Sequence, residues 1–390
     1  MSAVPLAGLK VVEFTHMVMG PAAGHILASL GAEVIRVEPI GGDATRRLLG
    51  SGAGYFPMYN RHKASICLDL KSDAGLGIAR DLAARVDILV ENFRPGALDR
   101  LGLGYEALAV VNERLIYCSA KGFLPGPYEN RTALDEVAQM MGGLAYMTGP
   151  PGKPLRAGAS VIDVTGGMFG VIGVLAALEE RHRTGRGQKI ISSLFETTVY
   201  LVGQHMAQKA VTGRAADPMP ARISAWAIYD VFETRDQPVF IGVVTDALWE
   251  KFCTLFGLDA LWADEALRRN NARVLARDRI MPQVRALIAT FTRAEVIARL
   301  DGSGLPFASI GRPEDLFDDP HLLASGGLEP VTLDDGRETT LPGLPIEMDG
   351  MRGGGGGKLP APGDDTDAVL TSLGYDAARI AGLKAEGAVA

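Results

Sequence analysis

The sequence predicts an α/β protein with a parallel sheet covered by helices on both faces. Three observations carry that expectation. The first third alternates short β-branched runs with stretches of helical apolar spacing. Glycine and proline punctuate the junctions, as helix starts and stops require. The chain has 390 residues, beyond the ~250–300 at which a single core stops growing, so at least two lobes are expected.

The elements follow in order. Leu9–Thr15 (LKVVEFT) reads as the first strand. Gly20-Pro21 opens a helix, with proline suited to its first turn, and Ala22–Leu30 continues it until Gly31 stops it. Strands are expected at Glu33–Val37, Ser65–Leu70, Ile88–Phe93 and Leu115–Ser119, with helices over Asp73–Ala84 and Tyr105–Val111. Ligands of parallel sheets gather at the carboxyl ends of strands, here Thr15–Met19, Glu38–Asp43 and Asn92–Arg94. The segment after the first strand, HMVMGPAAG, is not GxGxxG, and no Walker A motif exists. The middle predicts helices at Leu134–Met147 and Val164–Arg183, a turn at Gly185–Gln188 and an apolar stretch at Ile190–Phe195.

Arg214–Arg222 turns polar, with Pro218 and Pro220, and reads as a linker. A second lobe follows. Its strands are expected near Ile228–Glu233 and Val239–Val244, and its helices over Leu248–Phe256, Met281–Phe291 and Arg293–Leu300. Pro282 suits the first turn of the second of these helices. Asp315–Pro320 and a strand pair around Val331–Leu341 lead back. Gly353–Gly357 reads as part of a flexible strap, and a final helix is expected over Asp365–Leu373.

Composition excludes several function classes. With 46 acidic against 39 basic residues the net charge is −7, which argues against a general nucleic-acid binder. Three scattered cysteines form no CxxC, and six histidines form no HExxH, so neither a disulfide framework nor a metal site is expected, and a reducing cytoplasm fits best. Lys10 and Glu13 interrupt the first apolar stretch, so no signal peptide is expected. Val164–Leu178 is apolar but shorter than the ~20 residues of a membrane span. Glycine is abundant, 48 residues, which implies backbone that turns tightly or approaches something closely.

One carboxylate stands out. Asp163 opens the long apolar helix, with Gly166 and Gly167 close behind. The local pattern alone favours an N-cap role, worth about 1 kcal/mol. The same helix end also favours anionic oxygen. An aspartate there can act as a covalent nucleophile toward an acyl group, with the glycines clearing its approach.

At these residues the chain resembles the class III CoA-transferases, the formyl-CoA transferase and CaiB/BaiF type. PLAGLKVVEFTHMVMGP, EVIRVEP, NRHKASICLDLK, VENFRPGALDRLG and DVTGGM…LAALEERHRTGRGQ carry the resemblance along nearly the whole chain. It implies a Rossmann-like large domain over 1–213 and 326–390, a smaller α+β domain inserted at 223–325, and two subunits interlocked as rings. It implies that Asp163 attacks acyl-CoA, giving a mixed anhydride and then an aspartyl-CoA thioester. CoA esters enter as substrates, with no tightly bound cofactor and no membrane partner. CoA contacts carried over by the resemblance are His16, Val18, Met19, Leu70, Lys71, Asn92, Phe93, Arg100 and Leu101. Val18 stands where relatives often have glutamine. The acyl pocket is expected at Leu134, Asp135, Gly166 and Gly167. Related racemases place a histidine at the position of Leu134, which has no proton to exchange, so a racemase or isomerase is the second reading. A CoA-ester binding protein without turnover is the third. A glycine-rich lid of the formyl-CoA type is not found between Ile223 and Val244, which argues against formyl-CoA:oxalate specificity. Arg131 and Arg156 flank the nucleophile segment as candidate partners of a distal carboxylate or as surface residues.

Overall fold

The computed structural model describes residues 4–222, 224–353 and 356–390. The chain divides into two compact units, one running to Pro220 and resuming at Pro320–Ala390, the other comprising Ala221–Asp319. The expected boundary at 223 falls on Ile223, which lies outside the described residues. The return boundary lies before 325, because the Pro320–Ala324 helix groups with the larger unit, and the Gly327 amide closes its end on Leu322 O at 2.8 Å.

The larger unit is built on six parallel strands: β1 (Lys10–Phe14), β2 (Glu33–Glu38), β3 (Lys63–Cys67), β4 (Ile88–Glu91), β5 (Ile116–Lys121) and β6 (Lys189–Ser193). Their order is β3-β2-β1-β4-β5-β6, so the sheet reverses direction of growth between β1 and β4. A strand sends successive side chains to opposite faces, and both faces are covered here, so buried apolar residues point to both sides of the sheet. Val12, Phe14 and Leu89 pack against Ile78 and Leu82 of the Asp73–Arg85 helix and against Leu370 and Leu383 near the carboxyl terminus. Their neighbours Val11, Ile88 and Val90 face the other way. They meet Leu27 of the Met19–Ser29 helix and Val171 and Val174 of the 24-residue Val161–Thr184 helix. The latter is long and apolar enough to cross a membrane by composition, but one face packs on β5 and β6. The chain end closes beside β3, where Leu68 bridges Val389 and the Asp69 amide donates to Ala388 O at 2.9 Å.

The smaller unit holds a three-stranded antiparallel sheet, β7 (Tyr229–Phe232), β8 (Val239–Gly242) and β9 (Phe307–Ser309). Helices Asp246–Phe256, Arg277–Ile288 and Arg293–Leu300 cover it around Phe232, Ile241, Trp249, Phe252 and Val284.

Several elements differ from expectation. Leu134–Met147 is two helices, Asp135–Met141 and Leu144–Thr148, because Gly143 turns left-handed at φ +87°. Pro282 lies inside a helix that starts at Arg277, five residues before it, rather than in the first turn. Leu194–Leu201 and Gly203–Thr212 are helices that the sequence reading did not place. Thr366–Ser372 is followed by one more helix, Ala377–Ala385. Within the Gly353–Gly357 run, residues 354 and 355 lie outside the described residues. Gly357–Lys358 pairs in parallel with Val331–Thr332.

Candidate active site

The long helix begins at Val161, so Asp163 is its third residue and not its cap. Ser160 makes no capping bond. The cap comes from another helix: Oδ2 of buried Asp135 accepts the amides of Ile162 (2.8 Å) and Asp163 (3.1 Å). With that role filled, no described residue donates a hydrogen bond to the Asp163 carboxylate. Burial, chiefly, and the nearby negative charges of Asp135 and Glu136 push the Asp163 carboxyl up to about 7, with Arg156 opposing. A carboxylate poised near neutrality, with no hydrogen-bond donor among the described residues, is available to a substrate.

Asp135 is itself held. The Gln139 amide donates to its Oδ1, and Gln139 Oε1 accepts the Ala157 amide at 2.8 Å. Arg156 pairs with Glu136, lies 4.0 Å from Asp135 Oδ1, and donates to the carbonyls of Ala157 (3.0 Å) and Ala159 (3.1 Å). Its fork is thus turned back onto the loop that precedes the helix. Leu134, just outside the Asp135 helix, is exposed. Arg131 lies over the Tyr128 ring.

The glycines next to Asp163 do something other than clear a substrate path. A Cβ on Gly166 would lie 2.7 Å from Met19 Cε. One on Gly167 would lie 2.8 Å from Met19 O and 3.2 Å from Ala23 N. They let the Met19–Ser29 helix cross directly against the long helix, and both are buried. Met19 fills the gap and joins Ala120, Ala138, Ile162 and Leu194 in an apolar floor. Val18 is also buried, and its carbonyl accepts the Ala22 amide at 2.8 Å.

Of the residues expected to contact CoA, His16, Asn92 and Phe93 meet at the reversal of the sheet. The His16 amide donates to Asn92 Oδ1 (2.9 Å), and Asn92 Nδ2 donates to His16 O (2.8 Å), which locks the loop after β1 to the loop after β4. The His16 and Phe93 rings lie 5.5 Å apart. Burial lowers the His16 pKa despite Asp43. Glu91 accepts from the Phe93 amide (3.0 Å) and from Lys121 Nζ (2.8 Å), which fixes the start of that loop. Leu70 and Leu101 pack on the same apolar face. The Lys71 amide donates to Asp69 Oδ1, and exposed Arg100 ends the short Ala97–Arg100 helix. A cleft of about 220 Å³ adjoins this region, lined by Glu91, Arg94, Gly96, Asp99 and Lys121 among others. Asp163 is not in its wall, and no hydrogen bond or ion pair among the described residues joins the Arg100 group to Asp163.

Two features escaped the sequence reading. Tyr59, on the Tyr55–Tyr59 helix, has its phenol pKa raised by burial first and then by the charge of Asp163, so it belongs to the same neighbourhood. Its only signal was an aromatic in YFPMYN. Glu13, Arg36 and Lys63 form a buried charge cluster beneath the β1 loop. A carboxylate within an apolar strand was the clue to it.

The chain matches known proteins over nearly its whole length. The model of CoA-transferase family III matches residues 6–366. The chain belongs to this family. The succinate–glutarate CoA-transferase of Agrobacterium fabrum is 33% identical over 363 residues, covering 88% of this chain and 89% of that one. The acetyl-CoA:oxalate CoA-transferase of Acetobacter aceti is 34% identical over 359 residues, covering 89% and 90%. A crystal structure of a CaiB/BaiF family protein from Brucella suis superposes with a TM-score of 0.83 at 32% identity, covering 95% of this chain and 99% of that one. The family III chain is therefore a CoA-transferase enzyme, and CoA esters are its substrates. Among the described residues no group of three His, Cys, Asp or Glu is placed to hold a metal.

Proposed function

We propose that the enzyme moves CoA reversibly from a donor ester such as succinyl-CoA to a small mono- or dicarboxylic acid, with Asp163 as covalent carrier. The observation that carries this reading is the Asp163 carboxylate itself, which accepts no hydrogen bond from the described residues while Asp135 caps the helix. Asp163 attacks the thioester carbonyl; the C–S bond breaks, CoA thiolate leaves and an anhydride forms. The thiolate attacks the aspartyl carbonyl and releases the donor acid, leaving an aspartyl-CoA thioester. The acceptor carboxylate attacks that thioester and expels the thiolate. The thiolate then takes the acceptor acyl group from the second anhydride and frees Asp163. No water enters and no proton is consumed.

His16, Asn92 and Phe93 fit the thioester side, Leu70, Lys71, Arg100 and Leu101 the nucleotide side, and Leu134 with Asp135 the acyl side. The burial of Val18, Met19, Gly166 and Gly167 supports a framework role for them beneath the pocket. Leu134 carries no titratable group, which weighs against proton exchange at the acyl α-carbon. The named relatives differ in both donor and acceptor, so the acid is left as a class. The reading includes an interlocked homodimer. Met168, Ile172 and Leu175 form an exposed apolar stripe on the long helix, and no residue of the Gly203–Thr212 helix is buried, which supports a missing partner. Three free, buried cysteines support a reducing, cytoplasmic setting.

The test is incubation with a panel of acyl-CoAs and carboxylates, following new CoA esters and the Asp163 peptide by mass. A CoA adduct on that peptide, lost in Asp163→Ala together with transfer, is expected. Equal transfer by wild type and variant overturns the mechanism, and loss of the α-proton to solvent without acyl exchange favours a racemase.

A further inference from the structure

Beneath the loop that follows β1 lies a set of charges that the transfer chemistry does not use. Glu13 and Arg36 are fully buried and Lys63 is 5% exposed. Lys63 Nζ donates to both Glu13 oxygens (2.8 and 3.0 Å), to Pro21 O (2.9 Å) and to Asn60 Oδ1 (3.3 Å). Arg36 donates to Glu13 Oε1 (2.9 Å), Thr15 Oγ1 (2.9 Å) and Asp43 Oδ2 (2.5 Å). The first helix makes room for the pair: a Cβ on Gly24 would lie 1.8 Å from Glu13 Oε2 and 3.1 Å from Lys63 Nζ. Buried ion pairs stabilise a fold no better than well-packed apolar residues of similar volume. Stability alone therefore does not account for the cluster.

Each of its arms ends on a segment of the site. Pro21 O belongs to the first turn of the helix that carries Met19, the residue seated against Gly166 of the Asp163 helix. Asn60 Nδ2 donates to Phe56 O at 3.1 Å and closes the helix that ends at Tyr59, whose phenol feels Asp163 and Asp135. The Arg36 arm continues through Asp43 to the Thr45 amide (2.7 Å), and Thr45 Oγ1 accepts the Met17 amide at 3.3 Å. Met17 holds a left-handed backbone, φ +60°, which a non-glycine residue keeps only where its surroundings enforce it.

We propose that Lys63 is a positioning residue for the transfer reaction. Its ammonium ties the helix start at Met19–Pro21 and the Tyr59–Asn60 segment to β1, and so sets the geometry in which a thioester meets Asp163. This rests on Asp163 being the nucleophile. The described hydrogen-bond partners of Lys63 Nζ are internal, so it acts through these segments and not on the substrate. Displacement of reacting groups by about 1 Å costs about a hundredfold in rate.

The experiment compares wild type, Lys63→Met and the double variant Glu13→Gln/Lys63→Met, which leaves no uncompensated carboxylate. Folding is checked by circular dichroism, free CoA affinity by calorimetry, and kcat and KM by transfer between acyl-CoA and carboxylate. Expected is a kcat about a hundredfold lower with a CoA Kd within threefold of wild type. A folded variant with wild-type kcat overturns the proposal. So does a Kd that weakens in step with kcat, since the cluster then serves binding. Failure of both variants to fold also overturns it, since the cluster is then part of the core alone. A CoA adduct on wild-type Asp163, measured alongside, separates the two ideas: its absence removes the nucleophile, whereas its presence with normal Lys63→Met kinetics removes only the positioning role.

Discussion

Asp163→Asn tests whether the site stores free energy in its nucleophile. The folded protein holds the Asp163 carboxyl at about 7, against an ordinary 3.8. An acid whose folded pKa is raised binds its proton more tightly folded than unfolded. Its ionisation therefore costs stability progressively from about pH 4 to pH 7, and by the full amount above pH 7. At about 1.4 kcal/mol per pH unit, the gap from 3.8 to about 7 sets an upper bound of about 4 kcal/mol. Partial solvent access reduces the expectation to roughly 2–4 kcal/mol. Asparagine is neutral throughout, so the variant is expected to resist urea better than wild type at pH 8 and equally at pH 4. Trp226, Trp249 and Trp262 all lie in the smaller unit, so far-UV circular dichroism, and not tryptophan fluorescence, follows the relevant transition. The same pKa sets the kinetics. The ionised fraction of a group with pKa about 7 rises roughly tenfold from pH 6 to pH 8, and adduct formation should rise with it. A stability gain that does not depend on pH, or an adduct rate flat between pH 6 and 8, refutes the reasoning.

Asp135→Asn removes a like charge and is expected to move the acid limb of adduct formation to lower pH, read from a pH–rate profile. Weakening of the cap costs about 1 kcal/mol in urea unfolding. Gly167→Ala places a methyl 2.8 Å from Met19 O and is expected to destabilise the larger unit by about 1–3 kcal/mol, measured by the same unfolding. Asn92→Ala breaks both bonds to the His16 backbone; at about 1 kcal/mol each, the KM for acyl-CoA should rise about tenfold or more while the Asp163 adduct still forms.

The strand and helix rhythm was legible because both sheet faces are buried, so β1, β2 and β4 carry adjacent β-branched and apolar residues. Asp163 was legible because it is a lone carboxylate at the head of an apolar helix. Its cap role was misread, because the true cap comes from Asp135, 28 residues earlier. The Gly203–Thr212 helix was missed although Met206 and Ala210, and Ala207 and Val211, fall at helical spacing; the stripe is short, and none of its residues is buried in this chain.

By itself the sequence determined the α/β alternation, a second lobe and the residue types available to acyl chemistry, because these follow from length, periodicity and local helix-end electrostatics. The tertiary structure decided what each residue does. It placed Asp135 on the amides of Ile162 and Asp163, turned Gly166 and Gly167 into a helix crossing, and gathered Glu13, Arg36 and Lys63 from three strands into one buried cluster. Those contacts span 23 to 50 residues of chain between Glu13 and its partners, and burial confers on them a strength that no local pattern encodes. The glycine excess takes its meaning in the same way: at Gly24, Gly166 and Gly167 the missing side chain is space that a distant residue occupies.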